Sequence, residues 1–175
     1  MKLVSLALSL LVGACGPESP APPAPSEPAT PAPAGATTTL QAAIDALMAR
    51  PEHAEPLVTV QHCEIAVEGI VPGITRSVAE AEALTAELYA RVLAGADFDA
   101  FVHEYSDDEH PGIYAMCLGE PPAPDVYPRE AMTLGLGDVA WRLAVGEVGV
   151  MRYDGERFDV EARSPFGYHL VKRLK

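Results

Sequence analysis

Apolar and polar residues follow helical and strand periods once the chain passes residue 36. In residues 37–50, Leu40, Ile44 and Leu47 are spaced three or four positions apart, which predicts a helix with one apolar face. Residues 57–67 are rich in Val and Ile and lie between a proline and a glycine-containing turn, which predicts a strand. The folded part of the chain is therefore predicted to begin with a helix and then a strand.

The next predicted helix has its own start signal. In the segment Ser77-Val78-Ala79-Glu80, the serine hydroxyl can accept from the amide three residues on, while the glutamate carboxylate reaches back, which is a capping box. Apolar residues then recur at spacings of three and four until about Leu93, and Gly95 follows as a stop signal. These signals predict a helix that opens at the capping box and ends near Leu93.

The remaining segments are shorter and alternate between the two periods. The predicted elements are a helix over 98–105, a strand over 113–118, a proline-rich loop over 119–129, a helix over 139–145, and strands over 149–153 and 168–174. From residue 57 the order is strand, helix, helix, strand, helix, strand, strand. This order predicts an α+β domain with a small sheet surrounded by helices.

The N-terminus has the pattern of an export signal that ends at a cysteine. A lysine at position 2 precedes about ten apolar residues, a run too short to span a bilayer, which needs roughly 20. The segment Val12-Gly13-Ala14-Cys15 resembles the bacterial lipobox, in which the signal is cut before the cysteine and the cysteine carries lipid. The resemblance implies a lipidated Cys15, and Gly16 after it is typical of sorting to the outer membrane. The alternative is a buried helix that happens to hold a cysteine, but the prolines that follow disfavour it.

A proline-rich stretch separates this cysteine from the folded part. Residues 16–36 hold eight of the 17 prolines, which favours an extended spacer without a packed core. The predicted division is a signal peptide at 1–14, a lipidated cysteine and disordered linker at 15–36, a helical segment at 37–56 and a domain at 57–175. Whether the helical segment packs on the domain or belongs to the stalk stays open.

The net charge excludes some partners. The formal net charge is −13, from 25 acidic and 12 basic residues. Nucleic acid and anionic lipid headgroups both need clustered Lys and Arg, so neither is an expected partner. Membrane attachment is therefore expected through the lipid anchor only.

Six separated motifs carry a resemblance to a known family. They are, in order, Val60-Gln61-His62, Arg76-Ser77 with Glu80-Ala81, Gly95-Ala96-Asp97-Phe98, Tyr105-Ser106-Asp107-Asp108, Leu143-Ala144-Val145-Gly146-Glu147-Val148 and Phe166-Gly167-Tyr168-His169. Over residues 57–175 this order resembles the parvulin, or rotamase, type of peptidyl-prolyl cis/trans isomerase. The resemblance implies the parvulin-like fold, with a small antiparallel sheet.

The resemblance also implies an active site. His62 and His169 would be paired histidines at its centre, with Asp108 beside them as the third catalytic residue. The residues that would line the proline pocket are Tyr114, Met132, Leu136 and Phe166. Rotation about an X–Pro bond breaks no bond, so the chemistry requires no nucleophile, metal or cofactor. The implied substrates are unfolded or proline-containing exported polypeptides.

Several alternatives remain open from the residues alone. The two histidines can hold the sheet together and tune Asp108, or act directly, and Met132 and Leu136 at helical spacing are also compatible with core packing. The family's Gly-Asp-Leu-Gly segment reads Gly112-Ile113-Tyr114-Ala115 here, which leaves a non-catalytic chaperone or peptide-binding module as the alternative function. A structural lipoprotein in a larger assembly is a third reading.

The cysteines after Cys15 carry two further expectations. Cys63 and Cys117 either pair in an oxidising compartment or are buried, unreactive thiols. Because successive side chains of a strand point to opposite faces, Cys63 is expected to face away from His62 and into the core.

Overall fold

The computed structural model of the protein describes residues 34–155 and 163–175. The predicted signal peptide, Cys15 and almost all of the predicted linker lie outside these residues. The helices are α1 (Ala34–Met48), α2 (Val78–Leu93), α3 (Phe98–Tyr105) and α4 (Leu134–Ala140), with a 3₁₀ turn at Arg129–Ala131. The strands are β1 (Leu57–Ala66), β2 (Ile113–Cys117), β3 (Val126–Pro128), β4 (Val148–Met151) and β5 (Gly167–Arg173). None of the helices described is both long and apolar enough to cross a bilayer.

The described strands form one five-stranded sheet in the order β3-β2-β1-β5-β4. β1 pairs antiparallel with β2 and β5, and β4 with β5, but β3 runs parallel to β2. The expected antiparallel sheet is therefore mixed, and the α+β class is confirmed. The proline-rich segment predicted as a loop contains the short strand β3. Pro128 is tolerated at its end because β3 lies at the edge of the described sheet, where no second neighbouring strand needs the N–H that proline lacks.

The helix predicted at 139–145 is wrong in its bounds, because α4 begins at Leu134. Two glycines in its first turns, Gly135 and Gly137, are poor helix formers, so intrinsic propensity disfavours this start. Burial of Leu136 and Val139 against the sheet outweighs that propensity. The other helices match their predictions closely, and the capping box of Ser77 and Glu80 is present.

Two hydrophobic cores lie on the two faces of the sheet, as the alternation along β1 requires. One core contains Cys63 and Ile65 with side chains of α2 and α3, which confirms that Cys63 faces the core. The other contains Val58 and Val60 of β1 with side chains of α4. His62 lies on the same face of β1 as Val58 and Val60, next to the core that contains α4.

Helix α1 is part of the domain. Leu40 and Ile44 are buried in the core beside α2 and α3, and Leu47 is buried in the core beside α4. Arg50, just after the helix, forms a 2.7 Å ion pair with Glu147. The question that the sequence left open is therefore answered: this helical segment packs on the sheet domain and extends both of its cores.

The two described cysteines are free thiols, so the suggested disulfide is wrong. The register places Cys117 opposite Leu57, six residues along β1 from Cys63. At about 3.3 Å per residue this separation is roughly 20 Å, whereas a disulfide needs Cα atoms within about 7 Å. Burial raises the pKa of the Cys63 thiol to about 12, which keeps it protonated and unreactive.

Candidate functional site

The central strands β1 and β5 bring the two predicted histidines together. Their register places Glu64 opposite His169 and His62 opposite Val171, so the histidines are diagonal neighbours on one face. Their Nδ1 atoms lie 3.0 Å apart, and their rings are stacked with centroids 5.2 Å apart. Both rings are buried, so this hydrogen bond lies out of water.

Asp108 is bound to the outer end of this pair. Its Oδ2 lies 3.0 Å from Nε2 of His62 and accepts a hydrogen bond from the hydroxyl of Tyr114 at 3.2 Å. The hydrogen bond from His62 lowers the pKa of Asp108 to about 2, so the carboxyl is ionised at neutral pH. Burial, with Asp108 nearby, raises the pKa of Tyr114 to about 12, so its hydroxyl remains a donor.

The loop after α3 is held to β1 by hydrogen bonds to backbone amides of the strand, and these bonds position Asp108. Ser106 accepts hydrogen bonds from the amides of Glu64 and Asp108 at 3.1 and 3.3 Å. Asp107 accepts from the amide of Ala66 and from the Arg76 guanidinium at 2.8 and 2.7 Å. These positioning residues lie in the Tyr-Ser-Asp-Asp motif that the sequence offered, but only their tertiary contacts reveal what they do.

Apolar side chains line the same cleft as these polar residues, and we call Val71, Met132, Leu136 and Phe166 the apolar wall. The cleft has a volume of about 470 Å³, in the range of small-ligand sites. The residues that line the cleft are His62, Glu64, Val71, Asp107, Asp108, Tyr114, Ala131, Met132, Thr133, Leu136, Phe166 and His169. All seven predicted catalytic and substrate-binding residues are among them. Leu136 is almost fully buried and also belongs to the α4 core, so it is both a core residue and the floor of the cleft.

Glu64 is the main residue of the cleft that the sequence reasoning missed. It lies two positions from His62 on the same strand, and this period of two places both side chains on one face. The sequence did contain a signal for this residue. A glutamate is unexpected in a strand predicted to be buried, and its spacing of two from His62 would have placed it on the same face. Burial, together with the nearby Asp108 and Asp107 carboxylates, raises the pKa of Glu64 to about 7.

Donors must alternate with acceptors along the row formed by Asp108, His62, His169 and Glu64. An ionised Asp108 can only accept, so Nε2 of His62 carries a proton. In the neutral His62 ring, Nδ1 then accepts from Nδ1–H of His169, which leaves Nε2 of His169 as an acceptor. Burial lowers the pKa of His169 well below its usual value, which favours that neutral ring.

The inner end of the row therefore lacks a donor. Within the described part of the chain, Nε2 of His169 is buried and has no hydrogen-bond partner. The nearest carboxylate oxygen, Oε2 of Glu64, lies 4.0 Å away, which is beyond hydrogen-bond length.

The arrangement suits non-covalent chemistry on an apolar group that adjoins a polar one. It combines a fixed carboxylate, a hydrogen-bonded pair of rings and an apolar wall within one cleft. Among the described residues, no cluster of His, Cys, Asp and Glu has the arrangement of a metal site. No known family model matches the chain, and no curated protein matches it either.

Proposed function

We propose that this chain is a parvulin-type peptidyl-prolyl cis/trans isomerase that acts on exported polypeptides. The observation that carries the proposal is the row of Asp108, His62 and His169 beside an apolar wall that contains Met132 and Leu136. The residues that the resemblance implied thus lie around one open cleft, although they are up to 107 positions apart in sequence. A purely structural histidine pair would not require an adjoining apolar cleft.

The barrier to rotation about an X–Pro bond is about 18–20 kcal/mol and arises from amide resonance. In the twisted transition state the carbonyl oxygen carries less negative charge and the proline nitrogen becomes pyramidal. An apolar wall favours this less polar state, and the ring of proline fits against the side chains of Met132, Leu136 and Phe166. Catalysis requires only that the cleft bind the twisted state more tightly than either planar state.

Asp108 supplies the electrostatic part of this preference. An ionised carboxylate near the carbonyl that precedes proline repels the oxygen of the planar amide more than the oxygen of the twisted amide. Hydrogen bonds from His62 and Tyr114 fix the carboxylate in place and keep it ionised. His169 in turn orients the ring of His62, so the histidines act as positioning residues in this scheme.

A peptide isomerisation assay tests the proposal. A tetrapeptide with an apolar residue before proline is added in its cis-enriched form, and the approach to equilibrium is followed with increasing protein. We expect the rate to increase linearly with protein concentration, because the enzyme lowers the barrier for both directions. A rate equal to that of the uncatalysed reaction, together with binding of unfolded chains, would instead support the peptide-binding module.

The proposal includes export and attachment to the outer membrane through lipid on Cys15. It is supported by the short apolar N-terminal run, the lipobox-like segment and the proline-rich spacer. In a bacterial host we expect the wild-type chain to take up labelled fatty acid and to sediment with membranes. A Cys15→Ser variant is expected to do neither, and label retained in that variant would refute lipidation at this cysteine.

A further inference from the structure

Glu64 places an unmatched carboxylate inside the cleft. Its side chain is 9% exposed, and it lines the same cavity as the proline-binding wall. Its carboxylate makes no hydrogen bond with any residue that the structure describes, and Nε2 of His169 lies 4.0 Å from its Oε2. Burying an ionised carboxylate without a partner costs free energy. A ligand that supplied a partner to Glu64 would remove this cost.

The other two acids of the cleft are already matched. Asp107 forms a 2.7 Å ion pair with Arg76, and Asp108 accepts from His62 and Tyr114. No Lys or Arg lines the described cleft, so Glu64 has no cation of the protein beside it. The cleft therefore disfavours an acidic substrate side chain and has an open position for a basic one.

A substrate cation would match the Glu64 carboxylate at this end of the cleft. An ammonium or guanidinium group donates several hydrogen bonds and accepts none. It can therefore bind the Glu64 carboxylate, from which Nε2 of His169 lies 4.0 Å away, beyond hydrogen-bond length. A neutral polar side chain would leave the carboxylate charge unbalanced.

We propose that the cleft selects polypeptides with Lys or Arg directly before proline, and that Glu64 is the residue that receives the cation. The proposal rests on the proposed isomerase function. In this proposal the proline ring lies on the apolar wall and the preceding carbonyl at Asp108, and the side chain of the preceding residue is assigned to Glu64, which lines the same cleft. Glu64 lies only two residues from His62 on β1, and Lys and Arg have stems long enough to reach it.

The pH dependence of this selectivity follows from the same residues. The charged and titratable groups around Glu64 are His62 on its own strand, His169 on β5, Tyr114 on β2, and Asp107 and Asp108 with Arg76 around the loop after α3. Since the pKa of Glu64 is raised to about 7, the residue is mostly protonated at pH 6 and mostly ionised at pH 8.5. A peptide lysine stays charged throughout this range, so selectivity should rise with pH.

Two peptides that differ only in the residue before proline test the proposal, one with lysine and one with the uncharged norleucine. For the full-length protein at pH 8, we expect kcat/KM to be at least tenfold higher for the lysine peptide. We expect this ratio to fall below twofold in Glu64→Gln. The matched control is Glu68→Gln, which removes an exposed carboxylate just beyond β1 and should keep the tenfold ratio.

The ratio and the absolute rate separate the two proposals. Turnover of the norleucine peptide by the wild type tests the isomerase function alone, whereas the ratio tests Glu64. A wild-type ratio near one, or a tenfold ratio that persists in Glu64→Gln, would overturn the selectivity. If Glu64→Gln does not fold, the wild type decides by itself: a ratio that is flat between pH 6 and 8.5 refutes the role of Glu64.

Discussion

Replacing Asp108 by alanine is expected to lower kcat/KM for peptide isomerisation by about 100-fold, the scale on which a single preorganised electrostatic group contributes to catalysis. The substitution removes the charge that disfavours the planar amide. It also frees Nε2 of His62 and the hydroxyl of Tyr114, both of which are bonded to the same carboxylate oxygen. The measurement is the catalysed rate at several protein concentrations, with folding checked by circular dichroism.

Two further variants separate charge from shape in this experiment. Asp108→Asn keeps the side-chain volume but removes the charge, so we expect a loss close to that of the alanine variant. Asp125→Ala removes an exposed carboxylate outside the cleft and should leave the rate unchanged. If Asp108→Ala stays within threefold of the wild type, the apolar wall alone lowers the barrier and the electrostatic part of the mechanism is wrong.

Among the substitutions considered, Trp141→Ala is expected to reduce stability most, lowering the free energy of unfolding by about 3–5 kcal/mol. Trp141 is fully buried in the α4 core, and its indole N–H donates to the carbonyl of Glu55 at 2.9 Å. The guanidinium of Arg129 lies 4.9 Å from the centroid of its ring. Trp141→Ala would therefore open a cavity, leave a carbonyl without its partner and remove a cation–π contact.

Urea denaturation followed by circular dichroism measures this loss, because Trp141 is the only tryptophan and its fluorescence disappears with the substitution. Trp141→Phe keeps an aromatic ring but lacks the N–H group, so a smaller loss is expected, about 1–2 kcal/mol. Since α4 also carries Leu136 at the floor of the cleft, the alanine variant should lose isomerase activity at temperatures that the wild type tolerates. Equal urea midpoints for Trp141→Ala and the wild type would contradict this account of the core.

Most of the helices and strands could be predicted because their signals are local. The capping box at Ser77, the spacing of apolar residues in α2 and the alternation along β1 depend on neighbours within a few positions. The same alternation predicted that Cys63 and His62 face opposite sides, and it could also have placed Glu64 beside His62. Local rules sufficed wherever one short segment fixes both its own conformation and the face that it buries.

Three features depended on the tertiary structure. β3 forms because the folded β2 offers it a strand edge, and α4 forms in spite of its glycines because burial on the sheet compensates for their poor propensity. The packing of α1 on both cores likewise depends on surfaces that other elements provide. A sequence pattern reports what a segment prefers, but it does not report which surface will be available to it.

Local sequence patterns were sufficient to predict the α+β class and most of the element boundaries, and the resemblance of the motifs to parvulins implied the seven residues expected around one cleft. The folded structure was needed to show that His62 and His169 share a hydrogen bond, that Asp107 pairs with Arg76, and that the Glu64 carboxylate has no hydrogen-bond partner among the described residues. The physical reason is that hydrogen bonding and burial depend on distances across strands and loops, and residues 46 and 107 positions apart come within 3.0 Å only when the chain is folded. The charge state of the cleft therefore depends on the register of β1 and β5 and on the loop that brings Asp108 to His62, neither of which a local pattern encodes.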